Sequence, residues 1–271
     1  MQALGNDFMI IDTQSNSWLP SEKQIQQLSD RHFGIGFDQL LIISPAENST
    51  YDFDYQIFNA DGSEVGQCGN GARCAAHYIH QYLCPEKKFF RLKTQTTTLE
   101  LNICSDNLVQ LKLPCPDFSP MNIPLNSDIK NEYCVLKDQK EMKFHALSVG
   151  NPHAVIMVKD KHTLQNMDIS SMGAYIENHP LFPKRCNVNF LAIDNPNQIS
   201  IRVWERGCGE TLACGSGALA SAAIARKFYH LNAKILVQLK GGTLLVYWPH
   251  QDGPIEQTGP AIEVFRGEIS L

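Results

Sequence analysis

Residues 64–76 read EVGQCGNGARCAA, and a related block, ETLACGSGALASA, recurs 146 positions later at residues 210–222. Each copy places a cysteine, Cys68 or Cys214, before a Gly-x-Gly turn and an alanine-rich segment typical of a helix. A cysteine at a helix N-terminus lies at the positive end of the helix dipole, beside N–H groups without helical partners, and both favour the thiolate. Two such cysteines predict a matched acid and base in a duplicated fold.

The repeat extends beyond these blocks. Leu4-Gly5-Asn6 corresponds to Val149-Gly150-Asn151, and each triplet precedes an apolar run typical of a strand. Alternating apolar residues predict strands at 55–58 and 199–204, and each is followed directly by a polar residue, Asn59 or Glu205. Further strand-like segments follow each alanine-rich helix, and Gly241-Gly242 indicates a hairpin in the second copy. The order strand, helix, strands, cysteine helix and hairpin therefore occurs twice.

Proline and glycine positions divide the chain. Four prolines between residues 114 and 124 disfavour sheet pairing there and predict a linker. We therefore expect two domains, one of residues 1–114 with 258–271 and one of residues 115–257. The segment 261–271 is strand-like and is expected to complete the first sheet. An amphipathic helix is predicted over Ser21–Arg31, with Gly34 as its stop signal.

The composition is that of an ordinary soluble protein. The 271 residues are 43% hydrophobic and 19% charged, with a net charge of −5 and a pI near 6.0. This mild acidity gives no indication of a nucleic acid or an anionic membrane as partner. The N-terminus lacks the basic and apolar regions of a signal peptide, and no apolar run approaches the roughly 20 residues that span a bilayer. We therefore expect a cytoplasmic protein.

Nine scattered cysteines do not form the dense, even framework of a disulfide-rich domain, and most are expected to be reduced. Cys68/Cys74 and Cys208/Cys214 are both spaced as Cys-x5-Cys, wider than typical structural zinc pairs, and the spacing turns the second thiol away along a helix. We therefore predict no metal. Five others are expected to be small apolar core residues. These are Cys84, Cys104, Cys115, Cys134 and Cys186.

The paired cysteines suit one kind of chemistry. Inverting a carbon next to a carboxylate requires a base on one face and an acid on the other, and the two exchange roles in the reverse reaction. Equivalent positions of a two-fold repeat, such as Cys68 and Cys214, are expected to face each other across a cleft. Backbone N–H groups of Gly69-Asn70 and Gly215-Ser216 would bind the substrate carboxylate and the developing charge.

Three further residues fit this chemistry. Glu205 and His153 are candidates for setting the protonation of the thiols. Arg206 offers a bidentate grip on a second, distal carboxylate. The simpler interpretations are that His153 is a surface residue without a role and that Arg206 is a surface arginine that forms an ion pair.

Six motifs together resemble the diaminopimelate epimerase family over essentially the whole chain. They are GNDF (5–8), FDQ (37–39), FNADG (58–62), QCGNGARC (67–74), GNPH (150–153) and ERGCGETLACGSG (205–217). The resemblance implies an α/β (α+β) fold of two pseudo-symmetric domains, each a curved, mostly antiparallel sheet wrapped around a central helix. It implies interconversion of L,L- and meso-diaminopimelate for lysine and peptidoglycan precursors, without pyridoxal phosphate, metal or nucleotide. It also implies a homodimer.

Carried over by position, the resemblance makes Cys68 and Cys214 the catalytic bases, supported by His153 and Glu205. The matching substrate contacts are Asn6, Gln39, Asn59, Gly69, Asn70, Asn151, Asn187, Glu205, Arg206, Gly215 and Ser216. Two features depart from the family pattern. Few residues precede Gly5, so that either the start of the sequence is misplaced or the first sheet has a shortened edge, and Cys208 replaces an expected small residue such as alanine.

Three other functions compete with this one. A proline or hydroxyproline racemase also uses paired cysteines, but its first motif is expected to be Cys-Gly-His-Gly, where this chain has Asn70, and to lack a counterpart of Arg206. A phenazine-biosynthesis-type isomerase would lack the cysteine pair. A non-catalytic amino-acid-binding protein of the same fold would need neither cysteine.

Overall fold

The computed structural model describes residues 1–14, 18–105, 107–128 and 132–269. The chain divides into two compact units, one of residues 1–112 with 258–271 and one of residues 113–257. Strand β16 (Ile255–Pro260) contains the second boundary.

The first unit combines strands with two helices. The strands are β1 (Gln2–Ala3), β2 (Asn6–Asp12), β3 (Gln39–Pro45), β4 (Phe53–Asn59), β5 (Phe89–Lys93), β6 (Thr98–Ser105) and β7 (Leu108–Leu113), which ends at the first boundary. The helices are α1 (Glu22–Ser29) and α2 (Gly69–Tyr78), which continues as a π-helical turn, Ile79–Leu83. The strands lie in chain order from β1 to β7. Pairs β2–β3 and β4–β5 are parallel and the other pairs in this order are antiparallel.

The second unit repeats this pattern. Its strands are β8 (Glu132–Lys137), β9 (Lys140–Ser148), β10 (Pro152–Met157), β11 (Asn187–Asn195), β12 (Gln198–Glu205), β13 (Gly209–Thr211), β14 (Lys234–Leu239) and β15 (Gly242–Tyr247). Its helices are α3 (Lys161–Asn166), α4 (Ser170–Glu177) and α5 (Gly215–Tyr229). The strand order is β15-β14-β12-β11-β10-β9-β8, with β13 paired to β12.

Strand pairing confirms the internal duplication. Along β2-β3-β4-β5-β6 the pairs run parallel, antiparallel, parallel and antiparallel. Along β10-β11-β12-β14-β15 they run in the same sequence. Each unit is therefore a mixed, mostly antiparallel sheet with few helices, as predicted.

The cysteine helices are the central helices of their units. Helix α2 packs against strands β1 to β6, and its residues from Asn70 to His77 are buried. Helix α5 packs against β9, β10, β11, β12, β14 and β15, and is buried from Gly217 to Ala225. A helix that is apolar on nearly every side is stable only when it is enclosed in this way.

Helices α1, α3 and α4 belong to further apolar clusters. The predicted helix over Ser21–Arg31 is confirmed as α1, which begins at a capping box formed by Ser21 and Gln24. Its Ile25 and Leu28 are buried in a cluster with Leu40 of β3. In the second unit, Leu164 of α3 and Ile176 of α4 lie in the cluster that includes Val188 of β11.

Two sequence predictions were wrong. The predicted strand at 261–271 is absent from its described part, 261–269, where Ile262 forms only an isolated bridge to Gln2; the strand lies earlier, as β16. Among the predicted core cysteines, Cys186 is buried, but Cys104, Cys115 and Cys134 are exposed. Cys104 and Cys134 each follow a buried residue in a strand, so alternation turns them outward.

Candidate active site

The two repeated cysteines occupy the same place in their units. Cys68 is the N-cap of α2 and its Sγ accepts a hydrogen bond from the Gly71 N–H at 3.5 Å. Cys214 is the N-cap of α5 and its Sγ accepts from the Gly217 N–H at 3.4 Å. The predicted position at a helix N-terminus is therefore confirmed for both.

The second glycine of each Cys-Gly-x-Gly motif allows a neighbouring strand to approach. A Cβ on Gly71 would collide with the Tyr55 hydroxyl oxygen, which belongs to β4. A Cβ on Gly217 would lie 2.5 Å from Oδ1 of Asn189, which belongs to β11. Glycine is therefore required at both positions, because any side chain there would overlap a polar atom of the neighbouring strand.

In the first unit, a chain of amides begins at a buried arginine. Arg73 is 0% exposed, and its Nη2 donates to Asn70 Oδ1 at 2.8 Å. Asn70 Nδ2 in turn donates to Asn6 Oδ1 at 3.3 Å, and Asn6 Nδ2 donates to Asp38 Oδ2 at 2.9 Å. The orientation of both predicted substrate-contact asparagines is therefore fixed by charged groups at the two ends.

The other two candidates in this unit lie on adjacent strand ends. Gln39 begins β3 and Asn59 ends β4, and the two residues are register partners. Gln39 Nε2 donates to Asn59 Oδ1 at 3.0 Å, and Asn59 Nδ2 donates to Ser63 Oγ at 3.1 Å. The structure brings Gln39 and Asn59 together as a second amide pair.

In the second unit, the surroundings of Cys214 favour its thiol. Burial raises the pKa of Cys214 well above its usual value, and the Glu205 carboxylate, which accepts a hydrogen bond from this thiol, raises it further. Ser216 Oγ, 3.4 Å from Sγ, and the Gly217 N–H act in the opposite direction. At Cys214 the helix N-terminus alone therefore does not lower the pKa of the thiol, because burial outweighs it.

Glu205 itself is half-buried. Burial raises the pKa of its carboxyl group, whereas hydrogen bonds from Thr211 and Cys214 lower it. Thr211 Oγ1 donates to Glu205 Oε1 from the paired strand β13. Thr211 therefore orients the carboxylate that faces the thiol.

His153 belongs to a relay of amides that ends at the same thiol. It is 0% exposed, and burial lowers its pKa to about 3. Its Nε2 lies 3.0 Å from Asn151 Oδ1, and Asn151 Nδ2 donates to Ser216 Oγ at 3.3 Å. His153 is therefore neutral at physiological pH and is connected to Cys214 through Asn151 and Ser216.

Asn187 supports the loop that carries Arg206. Asn187 Oδ1 accepts from the Arg206 backbone N–H at 2.9 Å, and Asn187 Nδ2 donates to the Pro152 carbonyl at 3.4 Å. The Arg206 side chain is exposed and its Nη1 donates to the Lys184 carbonyl at 3.1 Å. Asn187 thus positions the arginine, and its own amide is committed to the backbone.

A buried carboxylate supports this loop from the other side. Glu177 accepts from the Gly207 N–H at 2.9 Å and from Trp204 Nε1 at 2.8 Å, and pairs with Arg185 at 3.2 Å. Trp204 stands against Gly173, where any Cβ would overlap its ring. The exposed arginine is therefore presented by a rigid turn.

The residues that were not predicted from the sequence include Asn189, Glu177 and Arg73. A signal existed for Asn189, since the spacing Asn187-Val188-Asn189 puts two polar residues on one face of an apolar strand. A signal also existed for Arg73, which follows Asn70 by three residues on one face of an alanine-rich helix. Glu177 had none, because its partners come from distant parts of the chain.

No metal centre is found in the described part of the chain, where no three His, Cys, Asp or Glu side chains converge. Each Cys-x5-Cys pair also contains one cysteine that is not a helix N-cap, and these two differ, since Cys74 is buried and Cys208 lies exposed in the turn after Arg206. None of the helices in the described ranges has the length and apolar character needed to cross a membrane.

The sequence of this chain is similar to known proteins over most of its length. The family model described as diaminopimelate epimerase matches residues 1–113 and 145–264. The chain is 47% identical over 271 residues to a diaminopimelate epimerase of Legionella pneumophila (strain Paris), covering 99% of this chain and 97% of the relative. It is 42% identical over 269 residues to one from Coxiella burnetii (strain Dugway 5J108-111), covering 99% and 96%. A crystal structure of a PhzF-family phenazine biosynthesis protein from Bacillus anthracis matches with a TM-score of 0.71 at 14% identity, covering 100% of this chain and 95% of that one; this likeness concerns the fold alone.

Proposed function

Because this chain belongs to the diaminopimelate epimerase family, we propose that it interconverts L,L- and meso-diaminopimelate by a two-base exchange of the α-proton. The observation that carries the mechanism is the equivalent placement of Cys68 and Cys214 as sulfur N-caps of the central helices of two duplicated units. A structural cysteine has no need of this position in both units.

The first step breaks the Cα–H bond. A thiolate takes the proton and becomes a thiol, and the electron pair of the broken bond spreads onto the substrate's α-carboxylate. Backbone N–H groups at the starts of α2 and α5 are suited to bind that carboxylate, because a helix N-terminus carries partial positive charge. Removing one such donor in other enzymes slows the reaction by about 10²- to 10³-fold.

The second step delivers a proton to the opposite face of the same carbon. A thiol gives up its proton, a new Cα–H bond forms and the thiol becomes a thiolate, so the pair ends with its protonation exchanged. The high pKa of Cys214 supports its role as the thiol in one direction of the reaction. Glu205 holds that thiol proton, and Ser216 and Asn151 connect it to the neutral His153.

The remaining site residues are assigned to binding. The amide pairs Asn6–Asn70 and Gln39–Asn59, together with Asn151, are proposed to bind the amino and carboxylate groups at the reacting carbon. The distal end of diaminopimelate also carries a carboxylate, and Arg206 is the exposed cation proposed to bind it. Asn187 contributes by fixing the Arg206 backbone.

We also propose a homodimer. Ile262, Val264 and Phe265 form an exposed apolar segment after β16 in the first unit, and such patches mark association sites. Light scattering on the wild-type protein is expected to give a dimer mass, and Phe265→Asp is expected to weaken it. The control is Phe33→Asp, at the equally apolar but separate Phe33, which is 94% exposed. A monomeric wild-type protein would contradict the dimer.

The test of the function is NMR of α-proton exchange in D₂O, with reductant present, offering L,L-diaminopimelate and L-proline in parallel. Deuterium entering diaminopimelate with formation of the meso isomer, and none entering proline, is the expected result. Exchange into proline would assign a racemase activity instead. Exchange into neither, from folded and reduced protein, would leave a binding protein.

A further inference from the structure

The duplicated units differ in charge at two equivalent positions near the cysteines. The last residue of strand β4 in the first unit is Asn59, and the last residue of the equivalent strand β12 in the second unit is Glu205. The residue five positions after each cysteine is Arg73 in the first helix and Leu219 in the second, and both are buried. The first unit thus has a buried cation where the second has an apolar side chain, and a neutral amide where the second has a carboxylate.

Arg73 is held rigidly in this position. Its guanidinium donates to Asn70 Oδ1 at 2.8 Å and to the Pro260 carbonyl at 3.4 Å, both within the first unit. Burial of a guanidinium is costly unless its charge is compensated by nearby groups. Three acidic groups interact electrostatically with Arg73, namely Cys68, Cys74 and Tyr55.

Two of these three groups stay neutral. Burial raises the pKa of Cys74 to about 12, and burial raises the pKa of Tyr55 well above its usual value. Cys68 differs because it is only half-buried and is the N-cap of the same helix. Another positive group also faces α2, the Met1 ammonium, which affects Cys74 and is hydrogen-bonded to the Phe8 carbonyl. Of the three acidic partners, Cys68 is therefore the one that suits a negative charge.

We propose that Arg73 is a positioning residue for the epimerase reaction, a buried cation that keeps Cys68 in the thiolate form in the resting protein. The opposite arrangement around Cys214, with a carboxylate and an apolar helix residue, keeps that cysteine as the thiol. The charge difference between the two units then decides which cysteine removes the proton first and which donates. This inference rests on the proposed two-base function for its consequence, but the ionisation of Cys68 itself does not depend on any substrate.

The experiment measures alkylation by iodoacetamide between pH 5 and 10, without substrate, and follows Cys68 and Cys214 separately by peptide mass spectrometry. Only the thiolate reacts, so the midpoint of each profile reports the ionisation of that cysteine. Arg73→Gln retains a donor for Asn70 but removes the charge, whereas Arg73→Lys retains the charge. Arg226→Gln is the matched control, because Arg226 is a helix arginine of α5 whose Nη2 donates to a carbonyl, that of Pro249, at 2.8 Å.

In the wild-type protein Cys68 is expected to react at a lower pH than Cys214. Arg73→Gln is expected to raise the Cys68 midpoint by about one pH unit, which slows its alkylation about tenfold at neutral pH, and to leave the Cys214 midpoint unchanged. Arg73→Lys is expected to restore most of the shift, and Arg226→Gln to cause none. A folded Arg73→Gln protein in which Cys68 keeps its wild-type midpoint would overturn the proposal. A Cys68 midpoint that shifts as far in Arg73→Lys as in Arg73→Gln would also overturn it.

If Arg73→Gln fails to fold, the alkylation profile of the wild-type protein tests the proposal by itself. A Cys68 midpoint at or above that of Cys214 overturns the proposal. Failure of the proposed function is separate from these outcomes. A protein without activity on diaminopimelate that shows the predicted alkylation profiles would retain the role of Arg73 and lose only the assignment of the reaction.

Discussion

The side-chain Nδ2 of Asn189 lies 3.0 Å from Nδ1 of His153. An amide nitrogen can only donate, so Nδ1 must accept and the ring proton resides on Nε2, which donates to Asn151 Oδ1 at 3.0 Å. Both ring nitrogens are thus engaged by amides, and a protonated ring would place a donor against the Asn189 donor. His153 is therefore a fixed, neutral link in the relay to Cys214.

This burial predicts a dependence of stability on pH. The pKa of His153 is about 3 in the folded protein, below the usual 6.5, so the unfolded chain binds the extra proton first as pH falls. The contribution of the neutral His153 to stability is present above pH 6.5 and is lost as the pH falls from 6.5 to about 3. From His153 alone, the free energy of unfolding is expected to be roughly 2 kcal/mol lower at pH 5 than at pH 7.

Urea unfolding at both pH values, on the wild type and on His153→Gln, measures this difference. Other groups titrate in both proteins, so the comparison isolates the histidine. An equal loss of stability between pH 7 and pH 5 in the two proteins would contradict a neutral, buried His153.

The two-base mechanism predicts that either cysteine alone is insufficient. Cys68→Ala and Cys214→Ala are each expected to reduce epimerisation by at least about 10³-fold, because each removes one of the two proton carriers. Circular dichroism and urea unfolding should show an intact fold for both. The control is Cys104→Ala, which changes an exposed cysteine and should keep full activity. Wild-type turnover by either catalytic variant would refute the mechanism.

Glu205 is expected to hold the proton on Cys214. Replacing it with glutamine removes a negative charge that raises the pKa of this thiol, so Cys214 in Glu205→Gln should be alkylated from about one pH unit lower. Epimerisation should slow because the neutral amide oxygen of glutamine is a weaker acceptor for the thiol than the charged carboxylate. Glu210→Gln is the control, since Glu210 pairs instead with Arg202 and Lys240. An unchanged Cys214 profile in Glu205→Gln would disprove this electrostatic role.

Arg206 is expected to act on binding more than on chemistry. Arg206→Met should raise KM for diaminopimelate about tenfold or more, because the distal carboxylate loses a charged hydrogen-bond partner, while kcat changes little. Steady-state kinetics check this, with Arg185→Met as the control on the neighbouring loop, where the arginine pairs with Glu177. A normal KM would remove Arg206 from the binding site.

Much of this site follows from the sequence because it depends on local pattern. The glycines after Cys68 and Cys214 mark helix starts, and strand alternation locates Asn59 and Glu205, so the duplicated strand pairing was predictable. The protonation of Cys214 was not predictable from the sequence. The helix terminus affects the pKa of the thiol locally, whereas the burial that raises this pKa depends on the fold of the whole unit. The role of Asn187 was also hidden, because its partners Pro152 and Arg206 are brought to it only by folding.

Gly217 of α5 lies directly against Asn189 of strand β11. An alanine Cβ there would lie 2.5 Å from Asn189 Oδ1 and 3.0 Å from Val203 Cγ2. Asn189 cannot retreat without giving up its hydrogen bonds to His153 and to the Ala154 carbonyl, at 3.0 and 3.1 Å. Alanine gains up to about 1 kcal/mol in helix propensity over glycine, but overpacking in a rigid site costs about 1–3 kcal/mol.

Gly217→Ala is therefore expected to lower the free energy of unfolding and to reduce kcat, since the same displacement disturbs the relay that ends at the Cys214 thiol. Urea unfolding and the exchange assay measure the two effects. The matched control is Gly253→Ala, where the new Cβ would lie 3.5 Å from His250, an ordinary contact, and neither property should change. If Gly217→Ala keeps both the stability and the kcat of the wild type, Asn189 is free to move. Asn189 would then not hold His153 in one tautomer.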